Sequence, residues 1–499
     1  MAEWDESVDV IVVGSGFAGL TAAVEARNAG SSVIVLEKMR AAGGNSIISD
    51  GGFAAAGTEL QRRLGIDDCP ELFYQDMLKA GLGLNDPALA RTVTQRAADV
   101  LRWSADYLGV RYLDRADRFG GHSAARCYAV AGTGGAALVK ALLKKTAELD
   151  VPLRTGCALR TLLTENGVAR GVVIEQQYNP RSGRGGSLKR LRAQGGIVIA
   201  TGGFGADTPF RMLQDPRLNA DIDTTNRESA TSEALVEAVR IGAACVHLSH
   251  IQLGPWASPD EKGFGSGPRF ADYVGFLYGV VVDPLTAERF VNEQSDRKVL
   301  SDAILRVGKP CICIADQAAV QRSGWNIARA VRKGVVKGFT DLDELARHYG
   351  LPSQRLARTI SEFNQAVQRG TDHRFQRSIP PDSEPIENPP FLAMRLWPKV
   401  HYTMGGLSID QRARVMDLQG RPISGLFAAG EVTGGVHGAC RLGSCGITDC
   451  LVFGRIAGRE AGTRCTNRGV RASGKDLPLS TDSTRGVAAD SPTAGDRQH

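Results

Sequence analysis

The 499-residue chain has no apolar run approaching the roughly 18 residues that a membrane-spanning helix needs, which argues against a helical membrane protein. It carries ten cysteines but no Cys-x-x-Cys and no Cys-x-x-Cys-His. That removes a c-type haem, a thioredoxin-like centre and a zinc ribbon. The thiols sit in apolar or glycine-rich stretches, the setting of buried, reduced cysteines in a cytoplasmic protein, and no metal site is expected. Aromatic residues make up only 6% of the chain, and no basic stripe is interleaved with them. The net charge of +6 comes from interspersed Lys/Arg and Asp/Glu, so nucleic acid is not an expected partner. The opening MAEWDES is acidic and enters a strand at once, which predicts no signal peptide and a cytoplasmic location. No internal repeat stands out.

Glycine is abundant, and the densest information lies where it clusters first. Val10 to Val13 are four β-branched residues running into Gly14-Ser15-Gly16-Phe17-Ala18-Gly19. A helical pattern follows to Ala29, then a second strand, Val33 to Leu36, ending at Glu37-Lys38. This is a strand–turn–helix–strand unit with GxGxxG at its turn and an acid at its far end. Gly14 permits the tight turn, Gly16 lets the backbone approach a pyrophosphate, and Gly19 lets the helix sit close on the sheet. The helix N-terminus offers free N–H groups to the diphosphate, and Glu37 can accept hydrogen bonds from a ribose diol. A run of Gly43, Gly44, Asn45, Ser46, Gly51 and Gly52 comes next, suited to a loop over phosphates and a flat ring.

Further on, Cys69 to Leu108 reads as helices, with Asn85-Asp86-Pro87 as a start signal. Ala136 to Glu148 reads as another helix and Val151 to Val173 as short strands. Tyr178 to Gln194, polar and basic, reads as the exposed tip of a hairpin. The strand Gly196 to Ala200 is expected beside the first strand, with Thr201 and Gly202 near the cofactor. Cys311 and Cys313 stand at strand spacing and should face one side. Asp341 to Gly370 reads as helical, and Ile379 to Pro390 as a Pro-rich connector. Gly425 to Ala428 is a strand entering a turn at Gly430-Glu431. Gly434 to Gly446 is a Gly-rich loop carrying His437 and Arg441, and Ile447 to Ala461 is a helix that presents Gly446 and Ile447 to an anion. The fold class expected is α/β: a discontinuous Rossmann-type nucleotide-binding domain (1–249 and 398–466), an inserted α+β cap domain (250–397) and a disordered tail (467–499).

Taken together, GSGFAGL, GGNS…SDGGFAAAGT, ATGGF, HYTMGG, GLFAAGEVTGGVHGA and CRLGSCGITDCLVFGR resemble the fumarate reductase/succinate dehydrogenase flavoprotein family, nearest its soluble flavocytochrome c type without the haem domain. The resemblance implies non-covalent FAD, because Asn45 stands near where membrane-complex relatives carry a flavin-linking histidine. It implies hydride transfer between flavin N5 and a C=C bond next to a carboxylate. His401 and Arg441 fall on the residues that bind the substrate carboxylate, and Arg297 on the proton donor. Without the resemblance, Arg297 reads as a surface salt bridge with Asp296 or Glu293.

Two departures stand out. Where the family has a histidine on a second carboxylate, this chain has Gly254-Pro255-Trp256. Counting back from Arg297 by the family spacing puts Tyr273 and Phe276 where a proton-relay Glu and Arg belong. An unsaturated monocarboxylate, rather than fumarate, is therefore the expected substrate. Trp256, Phe270, Tyr273, Phe276 and Tyr278 form either a roomier aromatic pocket or cap-domain core. One alternative is a dehydrogenase of a carbonyl compound such as a 3-ketosteroid, with Tyr273, Tyr278 or Tyr402 as acid/base. Another is a non-catalytic flavin electron-transfer subunit. The electron donor or acceptor is expected to be external.

Overall fold

In the computed structural model, residues 3–132 and 134–472 are described. The four β-branched residues Val10 to Val13 are all buried, at the end of the strand Glu6–Val13. This strand lies centrally in an eight-stranded sheet. On one side it pairs in parallel with Val33–Leu36, and on the other with Leu188–Ile199, Val13 opposite Ile199. The strand Pro422–Ala428 adds itself in parallel beyond Leu188–Ile199, with Ala428 also opposite Ile199. Residues separated by four hundred positions thus end at one edge of one sheet, where an open α/β sheet binds its ligand.

The helix Phe17–Asn28 lies against the C-terminal helix Cys445–Ala472 across a seam of small residues. A Cβ on Gly454 would stand 2.7 Å from the Ala18 carbonyl oxygen, and one on Gly458 only 2.2 Å from that of Ala22. Glu25 is buried beside the seam and accepts from both Arg455 and Arg459. That helix corrects the expected tail. It continues through 467–472, since each residue added to a formed helix gains a backbone hydrogen bond; positions 473–499 lie outside the described residues. The hairpin expectation is also narrowed, because Leu188 onward is already strand and only the polar stretch before it forms the tip.

A second sheet, entirely antiparallel, is built from Val280–Val282, Cys311–Asp316, Phe391–Leu396 and Lys337–Phe339. Its two faces bury separate apolar clusters. Cys311 and Cys313 join one, while Ile312 and Ile314 join the other, as the period-two alternation of a strand requires. The chain leaves the first sheet and returns to it through a short antiparallel ribbon, Ile251–Gly254 with Lys399–Thr403. His401 sits on that ribbon.

Candidate active site

Two clefts meet at the edge of the first sheet. One, of about 1010 Å³, is lined by Gly14, Gly16, Phe17, Ala18, Glu37, Lys38, Gly44, Thr201 and Gly202. The other, of about 920 Å³, is lined by Gly51, Gly52, Asp272, Tyr273, Arg297, His401, Tyr402, Arg441, Gly446 and Ile447. Phe17, Asn45, Ser46, Glu431 and Cys450 line both. The predicted nucleotide residues and the predicted substrate residues therefore share one continuous hollow.

The nucleotide end is a cradle that side chains would fill. Gly14 has φ +104°, and a Cβ there would come 2.3 Å from the Ala200 carbonyl oxygen. A Cβ on Gly19 would stand 2.0 Å from the Gly14 carbonyl oxygen, which shows Gly19 packing the helix onto the turn rather than lining the cleft. Gly430, at φ +76°, likewise packs against Ala18 and Cys450 behind the wall. The helix at Phe17 has no side-chain cap of its own; the Ser46 hydroxyl accepts from the Phe17 N–H at 3.0 Å. Glu37 does more than await a ribose. One of its oxygens accepts from the backbone N–H and hydroxyl of Ser15, at 3.2 and 2.5 Å, and the other from the Met39 N–H. It thus ties the glycine turn to the end of the second strand. Lys38 donates to Thr231 and pairs with Glu233, neither of which carried a signal in the sequence. Asn45 is held by Asn226 and the Arg227 N–H.

At the other end the polar groups converge. An Arg441 Nη2 donates to His401 Nε2 at 2.9 Å, and His401 Nδ1 stands 2.8 Å from the Thr225 hydroxyl. Because arginine can only donate, His401 carries its proton on Nδ1 and is the neutral tautomer. Its environment agrees: burial holds its pKa well below the usual histidine value, and the Arg297 and Arg441 charges push the same way. Burial, then Arg297, lowers Arg441 to about 10. Its guanidinium lies 4.5 Å from the Tyr402 ring centroid, a face that suits a cation.

Arg297 opens the helix Arg297–Val307. The surface pairing expected of it is not made. Asp296 caps that helix through Lys298 N–H and Val299 N–H, and Glu293 is buried between Arg289 and Arg377. Instead, Arg297 Nη2 faces Asp272 Oδ2 at 3.8 Å. Tyr273, where the spacing count put a relay residue, is the next residue in the chain and lines the same cavity.

The five aromatics divide. Trp256 and Tyr273 line the hollow, joined by Phe264 and Phe119, which the sequence did not single out. Trp256 is edge-on to His401 at 4.8 Å, and Phe119 edge-on to Tyr273 at 5.1 Å. Phe270 and Phe276 belong to the core of the second sheet, and the Tyr278 hydroxyl is turned to Asp382. Burial pushes the phenols of Tyr273 and Tyr402 well above their ordinary value, and that of Tyr278 to about 12. Such phenols hold their protons too tightly for ready acid/base exchange near neutrality. Cys440, Cys445 and Cys450 are likewise held as thiols by burial.

A glycine cradle at a helix N-terminus, opening onto a pair of arginines and a histidine, defines a dinucleotide-binding protein with a site for an anionic substrate. The FAD binding domain family matches over residues 9–447, and the chain belongs to it. The acrylate reductase flavoprotein subunit of Shewanella woodyi is 40% identical over 467 residues, 92% of either chain. The fumarate reductase (cytochrome) of Shewanella frigidimarina is 34% identical over 460 residues, spanning 91% of this chain and 77% of that one. Among solved structures, the open conformation of a flavocytochrome c3 fumarate reductase superposes with a TM-score of 0.72 at 32% identity, covering 92% of this chain and 79% of the other. The protein is thus an FAD-dependent oxidoreductase of the fumarate reductase-like flavoproteins. No helix among the described residues is long and apolar enough to cross a membrane.

Proposed function

We propose that this chain reduces the C=C bond of an unsaturated monocarboxylate. The observation that carries the reading is the His401–Arg441 pair, 2.9 Å apart, opening on the same cavity as Arg297 while Trp256 and Phe264 supply the wall beside them. Arg441 offers a planar fork to one carboxylate, and neutral His401 adds direction without adding charge. Drawing electron density towards that carboxylate polarises the double bond. When bound, FAD supplies the hydride from N5 to one carbon; Gly14, Gly16, Ser46, Glu37, Thr201 and Gly202 would hold its nucleotide half. Arg297 gives the proton to the other carbon.

The lining supports one carboxylate over two. Arg297 and Arg441 are the arginines that line the cavity, no lysine does, and three carboxyl groups, Asp50, Asp272 and Glu431, already share it, so a second substrate carboxylate would find no cation of its own. The name of the Shewanella woodyi relative, acrylate reductase, points the same way.

The proposal extends to the remaining assignments. Residues 250–397 act as the cap over the flavin, between FAD-binding segments 1–249 and 398–466. FAD is held non-covalently, with Asn45 engaged by Asn226 rather than linked to the ring. The chain works in the cytoplasm and receives electrons from an external donor. The test is anaerobic: reduce the purified flavoprotein chemically and follow its reoxidation by a panel of enoates and enones. Rapid reoxidation by acrylate-type monoacids, slow by fumarate and absent with enones, is the expected pattern. Reoxidation by enones alone would overturn it.

A further inference from the structure

Lys399 is a buried lysine, only 3% exposed, two residues before His401 on the ribbon strand Lys399–Thr403. Its ammonium pairs with Asp223 Oδ2 at 2.9 Å and donates to the carbonyls of Glu261 and Gly263, the latter at 3.2 Å. The same Asp223 oxygen accepts from the Gly263 N–H at 3.2 Å. A little further on the loop is pinned again. The Glu261 carboxylate accepts from the N–H groups of Ser266 and Gly267, each at 2.7 Å. A Cβ on Gly265 would stand 2.1 Å from that carboxylate, so the loop folds directly over it. Between the two anchor points stand only Phe264 and Gly265.

Phe264 lines the cavity, its ring centroid 5.4 Å from that of Trp256 and 6.4 Å from that of His401. Trp256 in turn lies 4.8 Å from His401, and the Arg297 guanidinium stands 5.7 Å from its ring centroid. The aromatic wall therefore runs from the carboxylate anchor to the proposed proton donor. In an enoate the carboxylate draws electron density, so hydride adds to the far carbon and the proton to the carbon that bears the carboxylate. The wall flanks that nearer carbon. We propose that Phe264 sets the room for a branch on this carbon, and that Lys399, with Asp223, is the positioning residue that holds Phe264 in place. The substrate class is then an enoate unbranched next to its carboxylate, which rests on the monocarboxylate reading above.

The chemistry of the clasp suits the task. A loop with glycine at 263, 265 and 267 has wide backbone freedom of its own, so something outside it must fix its shape. An ammonium has three donors, and here it meets three acceptors, which is what a buried lysine needs. Burial alone would raise the Asp223 carboxyl, but the bonds from Lys399 and from the Thr224 and Gly263 N–H groups hold it below its ordinary value. The turn that supplies Asp223 also supplies Thr225 to His401 and Asn226 to Asn45. The wall is thus fixed against the same turn that orients the histidine. In a close-packed site a wall so referenced discriminates at the level of one methyl group.

The experiment compares Phe264→Ala, Lys399→Met, Asp223→Ala and the Phe264→Ala/Lys399→Met double variant in the FAD-loaded protein, with propenoate and its 2-methyl and 3-methyl derivatives. Phe264→Ala should raise the kcat/KM of the 2-methyl acid relative to propenoate by about tenfold, the scale of one methylene in an apolar pocket. Lys399→Met and Asp223→Ala should raise the same ratio by at least about threefold, and the double variant should match Phe264→Ala, since nothing is left to position. Asp223→Asn keeps an oxygen for the Lys399 and Gly263 donors and should restore most of the parental ratio. The 3-methyl to propenoate ratio should move by less than about twofold throughout, which a general loosening of the site would not spare. Without turnover, propanoate and 2-methylpropanoate titrated against the absorbance of the oxidised flavin should show the same change in their Kd ratio. Should Lys399→Met not fold, Asp223→Ala reads the same clasp. Parental ratios in Phe264→Ala would overturn the inference. A changed Phe264→Ala beside parental ratios in Lys399→Met and Asp223→Ala would overturn the positioning role. A parent that neither reduces propenoate nor binds propanoate would overturn the monocarboxylate reading, and the inference with it.

Discussion

At the scale of single residues, the substrate end of the cavity works because its histidine is neutral. With His401 accepting from Arg441 and bonded to Thr225, Arg297 and Arg441 are the full positive charges among the described residues that line the cavity. Arg441→Ala should therefore cost at least about a hundredfold in kcat/KM for a monoacid, as removal of a charge-assisted donor from a buried site does. The flavin spectrum should stay intact, which an absorbance scan verifies. Thr225→Val should act more gently, mainly on KM, by freeing the imidazole to turn. Arg297→Ala should slow the chemical step by at least about a hundredfold while leaving carboxylate binding in place. Single-turnover flavin reoxidation separates the two effects.

At the scale of elements, the glycine turn and the seam between the first and last helices set tight limits. Gly14→Ala puts a methyl against the Ala200 carbonyl at a φ unfavourable to side chains, a strain of about 1–3 kcal/mol. The purified variant should come out depleted of FAD. Gly458→Val forces the two helices apart at Ala22 and should lower both Tm and flavin retention.

The loop that carries His122, ahead of the strand Cys127–Ala129, has a pH effect of its own. His122 is buried, bonds to the Gly443 carbonyl, and is pushed down to about 4, by burial first and then by Arg126. The unfolded histidine takes up its proton near 6.5, so between those values the unfolded state binds more protons. Stability is then lost as pH falls from about 6.5 towards 4. His122→Gln keeps the donor to Gly443 without the titration. Its Tm should fall less between pH 7 and 5 than that of the parent, by differential scanning at matched ionic strength.

The glycine turn was plainly legible in the sequence because one local rule governs it: strand, turn and helix are contiguous, and each glycine answers a steric demand. Asp272 was not legible, because its partner Arg297 lies across a loop whose length a spacing count must assume. Glu37 was legible as a cleft residue but not as the clasp of Ser15 and Met39. A side chain that closes a loop on itself leaves no periodic trace. Phe119 and Phe264 went unnoticed for a related reason: they meet Tyr273 and Trp256 only through the tertiary fold.

At the scale of the whole molecule, the cavity is assembled from both sheets, and its charge balance belongs to neither alone. Asp50 and Arg441 lie outside residues 250–397, while Arg297 and Asp272 lie within them. Adding a positive charge should relax the preference for one carboxylate. Phe264→Lys is expected to raise the fumarate rate relative to a monoacid, read as the ratio of kcat/KM values for the two substrates.

The seam of Gly454 and Gly458 against Ala18 and Ala22 has a further consequence, for the order of events during synthesis. The phosphate turn at Gly14 to Gly19 leaves the ribosome about four hundred residues ahead of the helix that braces it, from Cys445, and of Arg441 just before that helix. A nascent chain therefore carries an exposed, unbraced nucleotide site through most of its translation. Cofactor capture becomes a final act of folding, and a chain cut short before Gly454 should leave the ribosome with no means of keeping its flavin.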